Sequence, residues 1–284
     1  RYVDSGWDEN ANTITLPLHP QGIYAFTVDW GDGTQDQIFS WDQAAATHVY
    51  DTPGEYEIKL DGLIQGFSFK PVKTLSDDTT VNLDPEISDM ATKLLEVRQI
   101  GNIGLGKGPS SEGFYFAGCD NLDLQSISTF DLEDVTNLDG FLYGLENVNA
   151  NLISNMDTSS ATSMVSTFEG ATSFNQPLDG WNTTNVTDLT ATFKDATSFN
   201  QPLDTWNTTN VTDLTSTFSG ATNFNQPLDG WNIPGVTSLD YMFYNATSFN
   251  QPLNNWSTSN VTSMVSTFEG ATSFNRALNG WDTT

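Results

Sequence analysis

The sequence predicts a mainly β protein: a solenoid of about 25-residue coils with short helical or 3-10 turns, behind a small N-terminal β module. Three observations carry this. Trp181, Trp206, Trp231, Trp256 and Trp281 recur every 25 residues. Phe174, Phe199, Phe224, Phe249 and Phe274 keep the same step, as do Leu178, Leu203, Leu228, Leu253 and Leu278. The first 70 residues follow a different pattern, with alternating apolar runs broken by Gly- and Pro-containing turns.

Within one unit, Phe174 to Ser198, the apolar positions are Phe174, Leu178, Trp181, Val186, Leu189 and Phe193. So few apolar residues cannot bury themselves, so neighbouring units must stack. Helical spacing survives only across Val186, Leu189 and Phe193, which predicts one helical or 3-10 turn. Pro177 to Trp181 is expected to be the extended stretch, stacking in parallel with about 4.8 Å between coils. Asn175, Asn200, Asn225, Asn250 and Asn275 then form an asparagine ladder that satisfies backbone groups at a corner. The pattern continues N-terminally in degenerate form: Phe168 is preceded at steps of 26 by Leu142 and Phe116, and Met156 takes the Trp position.

The unit resembles the bacterial surface-protein repeat related to BspA-like leucine-rich repeats. The carrying motif is Phe-Asn-Gln-Pro-Leu, then Trp, Asn-Val-Thr, Phe and Ala, unbroken in the copies that begin at Phe174, Phe199, Phe224 and Phe249. The fifth copy departs, as Phe274-Asn-Arg-Ala-Leu278. The family's Tyr-Met-Phe-Tyr stands only at Tyr241 to Tyr244; elsewhere Ala-Thr-Phe or Ser-Thr-Phe replaces it, which suggests a remodelled face. The resemblance implies a right-handed leucine-rich-repeat-like solenoid, displayed on a cell surface and engaged in binding.

Residues 1–70 contain Thr13-Ile-Thr-Leu16 and Ile23-Tyr-Ala-Phe-Thr-Val28 as strands, then the tight turn Asp29-Trp-Gly-Asp-Gly-Thr34 and a returning strand over 35–40. Trp-Gly-Asp-Gly-Thr, His48-Val-Tyr50 and Pro53-Gly-Glu-Tyr56 together resemble a PKD-like β-sandwich, a common extracellular module. An open solenoid end needs covering, so residues 1–70 are expected to act as its N-terminal cap. Residues 71–115 form a transition, with Leu94 to Ile100 as the first coil strand and Lys107 to Gly113 as a loop; residues 116–284 are the solenoid. The chain opens Arg-Tyr-Val-Asp and closes partway through a repeat, so it is expected to be a module of a larger surface protein.

Charge narrows the partners. Nine Lys and Arg stand against 36 Asp and Glu, a net charge of −27. Nucleic acid and anionic membranes reward the opposite sign. Eighteen Phe, eight Trp and eight Tyr exclude a disordered acidic tail. No run of 18 apolar residues exists, so no membrane insertion is expected. Cys119 is alone, and His19 and His48 are too far apart for a metal motif.

Carboxylates are the one abundant reactive type. Asp179, Asp204 and Asp229 would stack about 5 Å apart, a separation suited to a glycosidase pair. Catalysis needs distinct residues in distinct roles, whereas this ladder repeats one and then becomes Asn254 and Asn279. The chain is therefore read as non-enzymatic, requiring no cofactor. Calcium is compatible with it, with Asp29 and Asp32 in the turn, or the Asp ladder, as oxygen ligands. The Asn-x-Thr sequons at Asn185, Asn210 and Asn260 recur with the repeat and read as stacking motifs.

A regular strand puts Leu178 and Trp181 on opposite faces, which would expose a Trp ladder. Alternatively, Gly180, Gly230 and Gly280 bend the chain and return Trp181 to the core. Five exposed indoles would form a patch of several hundred Å², so the bend is favoured. The outward row is then Asp179, Asp204, Asp229 and Asn254, flanked by Gln176, Gln201, Gln226 and Gln251. That row is the expected ligand surface for a cell-surface glycan or peptide on the exposed sheet face. The alternatives are a rigid spacer displaying neighbouring modules and, less favoured, a carbohydrate-active enzyme.

Overall fold

A computed structural model describes residues 12–52, 54–68, 94, 113–119, 122, 124, 132 and 135–282. The protein is mainly β with almost no helix: among the described residues, helix is limited to the 3-10 segments Ala44–Ala46 and Asn151–Asn155. Of the predicted transition, Leu94 packs against the core and Gly113 is described; Leu95 to Ile100, the loop from Lys107 to Glu112 and Pro53 lie outside the described residues.

The N-terminal part has five strands, β1 (Thr13–Thr15), β2 (Leu18–Asp29), β3 (Gln35–Ile38), β4 (Thr47–Val49) and β5 (Lys59–Phe67). β1 pairs with β4, and β2 is central in a sheet ordered β3-β2-β5; all pairings are antiparallel. Alternation along β2 works as the sequence predicts. Tyr24, Phe26 and Val28 are buried, followed by Trp30, whereas Ile23 and Ala25 face out. A register shift between Leu18 and Ile23 is held by Tyr24, whose hydroxyl accepts from the His19 amide at 2.7 Å and reaches the Gly66 carbonyl at 3.0 Å. Gly62 is required on β5: its φ is +130°, and a Cβ there would lie 2.5 Å from the Ala25 carbonyl.

From Gly113 onward, residues one period apart sit beside one another. Single parallel bridges join Asn137 to Ser163, Asp188, Asp213, Ser238 and Ser263 in succession. The expected strand at Pro177 to Trp181 is therefore misplaced. Asp179 and Gly180 form a turn closed by the Trp181 amide on the Leu178 carbonyl at 3.1 Å, and the paired position is Asp188. The turn returns Trp181 to the core, the second of the two alternatives. Trp181, Trp206, Trp231 and Trp256 are at most 3% exposed, and successive indoles stack at 6.4–6.5 Å. Two phenylalanine columns run alongside. One joins Phe174 to Phe199, Phe224 and Phe249 at 6.0 Å per step, and the other joins Phe168, Phe193, Phe218 and Phe243 at 5.2–5.7 Å.

The predicted helical turn also takes another form. Val186, Leu189 and Phe193 are buried, but the chain around them is a double turn with Ala191 and Asp195 at φ near +55°. Left-handed residues recur at Ser166, Ser216, Tyr241 and Ser266, and four residues later at Gly170, Gly220, Asn245 and Gly270. This backbone separates the amide donors into two sets. Leu189, Ala191, Phe193 and Asp195 donate to carbonyls of the next unit, at Asp213, Thr215, Thr217 and Ser219. Thr192, Lys194 and Ala196 donate to carbonyls three residues back. A helix would direct every amide within its own unit and leave the next unit's carbonyls unpaired.

Side chains complete the accounting. Each Trp Nε1 donates to a carbonyl of the preceding unit, Trp206 to Leu178 at 3.1 Å and Trp231 to Leu203 at 3.0 Å. Asn175, Asn200, Asn225 and Asn250 each accept the amide of the next ladder asparagine, Asn175 from Asn200 and Asn200 from Asn225, both at 2.9 Å. Thr192 and Thr217, at the position where Met242 stands in Tyr-Met-Phe-Tyr, are fully buried and bond a carbonyl of the preceding unit, Met164 and Leu189. The Thr-for-Met exchange is thus a change in the core, whereas Tyr241, 41% exposed where Ala191 and Ser216 stand in other units, alters the outer face.

Replacing Trp231 by Ala removes two stacks and a buried hydrogen bond, so about 3–5 kcal/mol of stability should be lost. Trp281, half-buried and among the described residues stacked on Trp256 alone, should lose clearly less when replaced by Ala. Urea titration of both variants checks this, and equal losses would contradict the stacked core.

Candidate functional surfaces

Most polar side chains in a unit are consumed by contacts between units, which separates candidates from structural residues. Gln176, Gln201, Gln226 and Gln251 fall in the second group. Gln201 Nε2 donates to the Asn175 carbonyl at 3.0 Å and to its Oδ1 at 3.1 Å, and the other three repeat the contact one unit along. The Nε2 donor of each is thereby committed to the preceding unit, and Oε1 is the end left to accept from a ligand. Asn185, Asn210 and Asn260 likewise donate through Nδ2 to the carbonyls of Ser159, Thr184 and Pro234, so these sequons act as stacking contacts.

Asp179, Asp204, Asp229 and Asn254 behave differently. All four are exposed at the first position of the turn that precedes each Trp, and no hydrogen bond or ion pair reaches their side chains from the described residues. They line one column, on a row of turns. The exposed sheet face predicted for them is corrected by the Asp188 pairing described above.

Asp29 and Asp32 are built into the β2–β3 turn. Asp29 accepts from the Gly31 amide and from Gln35 Nε2, both at 2.9 Å. Asp32 accepts from the Thr34 amide and hydroxyl and lies 2.7 Å from His48 Nε2. The His48 ring stacks on Trp30 at 4.8 Å and meets Tyr50 edge-on, and the Tyr50 hydroxyl donates to the Trp30 carbonyl. The motif residues of the first 70 positions therefore converge on one turn, with His48 bracing it. Among the described residues, no three His, Cys, Asp or Glu groups gather as a metal site. Cys119 is buried and carries no disulfide.

One polar cluster escaped the sequence reading. Lys194 Nζ lies 2.7 Å from Glu169 Oε1, and the Ser166 hydroxyl donates to the other carboxylate oxygen. Burial acts to lower the Lys194 pKa, but the Glu169 bond and the charges of Glu169 and Asp195 outweigh it and raise it. Opposite charges 25 residues apart, Glu169 and Lys194, were the available signal. A second half-buried acid, Asp139, accepts from the Ser163 hydroxyl and from the Val165 amide at 2.8 Å. Desolvation raises its pKa in spite of these bonds.

The family described as "Mycoplasma protein of unknown function, DUF285" matches residues 112–228 and 201–284. No curated protein and no solved structure matches the chain.

Burial alone would raise the pKa of Asp32, but hydrogen bonds from Thr34 and from His48 prevail and hold it down to about 2, against 3.8 ordinarily. The folded state thus favours the ionised carboxylate. Its contribution to stability is complete above about pH 4 and is lost as the pH falls through 2. An Asp32→Asn variant should flatten the acid dependence of the N-terminal strands between those values, read by near-UV dichroism of the Trp30 environment. An unchanged acid profile would contradict the assignment.

Proposed function

The chain belongs to the DUF285 family, and from that premise we propose that it is a non-enzymatic binding domain of an extracellular surface protein, an adhesion module recognising a glycan or peptide. Its architecture in this reading is a right-handed leucine-rich-repeat-like solenoid, with residues 1–70 as a PKD-like cap. The columns one period apart support the first part. The second is supported by the bond from Ser68, which follows β5, to the Gly113 carbonyl at 2.6 Å, where the repeats begin. Net charge and the surface-protein resemblance of the repeat support an extracellular setting.

The observation that carries the binding function is the free turn column. In units where many polar side chains are bonded to a neighbour, Asp179, Asp204, Asp229 and Asn254 remain exposed, and no hydrogen bond from the described residues reaches their side chains. Parallel carboxylates and an amide at a fixed interval can accept hydrogen bonds from successive hydroxyls of a sugar chain or from basic groups of a peptide. Calcium bridging two neighbouring carboxylates is the one cofactor this column would admit. A rigid spacer is the second reading, favoured by the identity of the contacts from one unit to the next, since a specific site usually breaks such symmetry.

Replacing Asp204 and Asp229 together by Lys should abolish attachment to the bound surface or array ligand, with the thermal midpoint unchanged. Full attachment by the folded variant would remove this column as the site. An absence of any ligand for the native domain on glycan and peptide arrays would favour the spacer.

A further inference from the structure

Five Asp-Gly pairs stand in the sequence, beginning at Asp32, Asp61, Asp139, Asp179 and Asp229. In such a pair the glycine nitrogen can attack the aspartate side chain, because no Cβ crowds its approach. The attack needs a free carboxyl, a free amide, and a backbone able to rotate about the aspartate Cα–C bond. The fold withholds at least one of these at three pairs and leaves all of them open at two.

At Asp32 the carboxyl is held. Its Oδ1 accepts from the Thr34 amide and hydroxyl, and its Oδ2 lies 2.7 Å from His48 Nε2. At Asp139 both groups are held: the carboxyl accepts from Ser163 and Val165, and the Gly140 amide donates to the Val165 carbonyl at 2.8 Å. Asp61 is exposed, but it lies within β5 opposite Thr27, with Gly62 opposite Phe26. A Cβ on Gly62 would lie 2.5 Å from the Ala25 carbonyl, so this backbone is pressed against β2. Rotating it would break strand pairing, a larger opening than an exposed turn requires.

Asp179-Gly180 and Asp229-Gly230 are the central residues of turns, and all four are exposed. One bond closes each turn, from the Trp181 amide to the Leu178 carbonyl and from the Trp231 amide to the Leu228 carbonyl at 3.0 Å. Among the described residues, no acceptor receives the Gly180 or Gly230 amide, and no donor reaches either carboxyl. The two turns differ in their surroundings. The Asp179 carbonyl accepts from the Thr205 hydroxyl at 3.2 Å, and a Cβ on Gly180 would lie 3.0 Å from the Ser154 carbonyl. A Cβ on Gly230 would meet nothing within 4 Å.

We infer that Asp229, and more slowly Asp179, are sites of spontaneous isoaspartate formation. The Gly230 nitrogen bonds to Cγ of the protonated Asp229 carboxyl, and the carboxyl hydroxyl leaves with the amide proton as water. Water then adds to the main-chain carbonyl carbon of Asp229, and the bond from that carbon to the Gly230 nitrogen breaks. The chain now runs through Cγ, one carbon longer, and the carboxylate sits directly on Cα. The water released in the first step is returned in the second, so no other reactant is consumed. Charge is unchanged, but the carboxylate is drawn back from the turn column. The conversion stands whether or not that column binds a ligand; on the proposed binding role, attachment falls in step with the converted fraction.

Prolonged incubation of the folded 284-residue chain at neutral pH tests the inference. The chain is then denatured and digested with an endoproteinase that cuts before aspartate and not before isoaspartate. Cleavage at Asp229 should be lost about tenfold faster than at Asp204, where the β-branched Thr205 crowds the attacking nitrogen. Asp61 and Asp139 should stay cleavable. Gly230→Ala places its Cβ in open space, so it should fold and slow the loss at Asp229 severalfold. Incubated in concentrated urea, all five pairs should convert at similar rates. Undiminished cleavage at Asp229 would overturn the inference, as would equal loss at Asp61, Asp139 and Asp229 in the folded chain. Persistence of the folded-chain pattern in urea would overturn it too, because local sequence would then set the rates. Conversion without any change in attachment would leave the inference standing and remove the Asp179 column as the binding site.

Discussion

Every unit of this chain must satisfy the backbone of its neighbour, and that reciprocal hydrogen bonding constrains nearly everything else. A 25-residue segment with six apolar side chains cannot close a core or pair its own amides. The double turn at Leu189 to Asp195 solves this by directing alternate amides outward to the next unit and the others inward. Left-handed backbone at Ala191 and Asp195 is the cost of that alternation. Trp, Asn, Gln and Thr side chains then take up the carbonyls and amides the turns leave over. Their recurrence follows from hydrogen-bond accounting as much as from packing.

The aromatic columns depend on that register. Rings one period apart lie nearly parallel, within 9° for the Phe174 and Trp181 columns, because identical side chains are placed in identical surroundings. Phe193 also faces Phe199 at 4.2 Å and Trp206 at 5.7 Å, so the three columns form one continuous interior. Smaller apolar side chains are accommodated at the N-terminal end, where Leu142, Val148 and Met156 are all buried at aromatic positions.

Much of this was legible from periodicity. Recurrence of Trp181 and Phe174 identified the columns, and bulk alone argued that five indoles would not face water. Alternation in β2 identified which side of that strand is buried. Local backbone was less legible. Val186, Leu189 and Phe193 have helical spacing, but the left-handed residues that break the helix are Ala and Asp as well as Gly, so composition gave no warning. The paired position at Asp188 was missed for a related reason: a single bridge per unit leaves no alternating run to recognise. Gln176 and its equivalents flank the outward Asp row in the sequence, and their bonds to an asparagine one unit away are not legible from that placement. Glu169 and Lys194 could have been paired by counting 25 residues between opposite charges.

Since each unit contacts chiefly the one before and the one after, the sequence separation of long-range contacts stays near one period however many units are joined. Topology of that kind decouples assembly speed from overall size. Such a chain can lengthen by whole units without facing the slow search that remote strand pairing imposes on other β proteins. A one-residue deletion inside the double turn has the opposite effect, since it shifts donors off their acceptors along the entire turn. Growth by duplication and intolerance of frameshifted spacing are therefore two outcomes of the same alternating amide pattern.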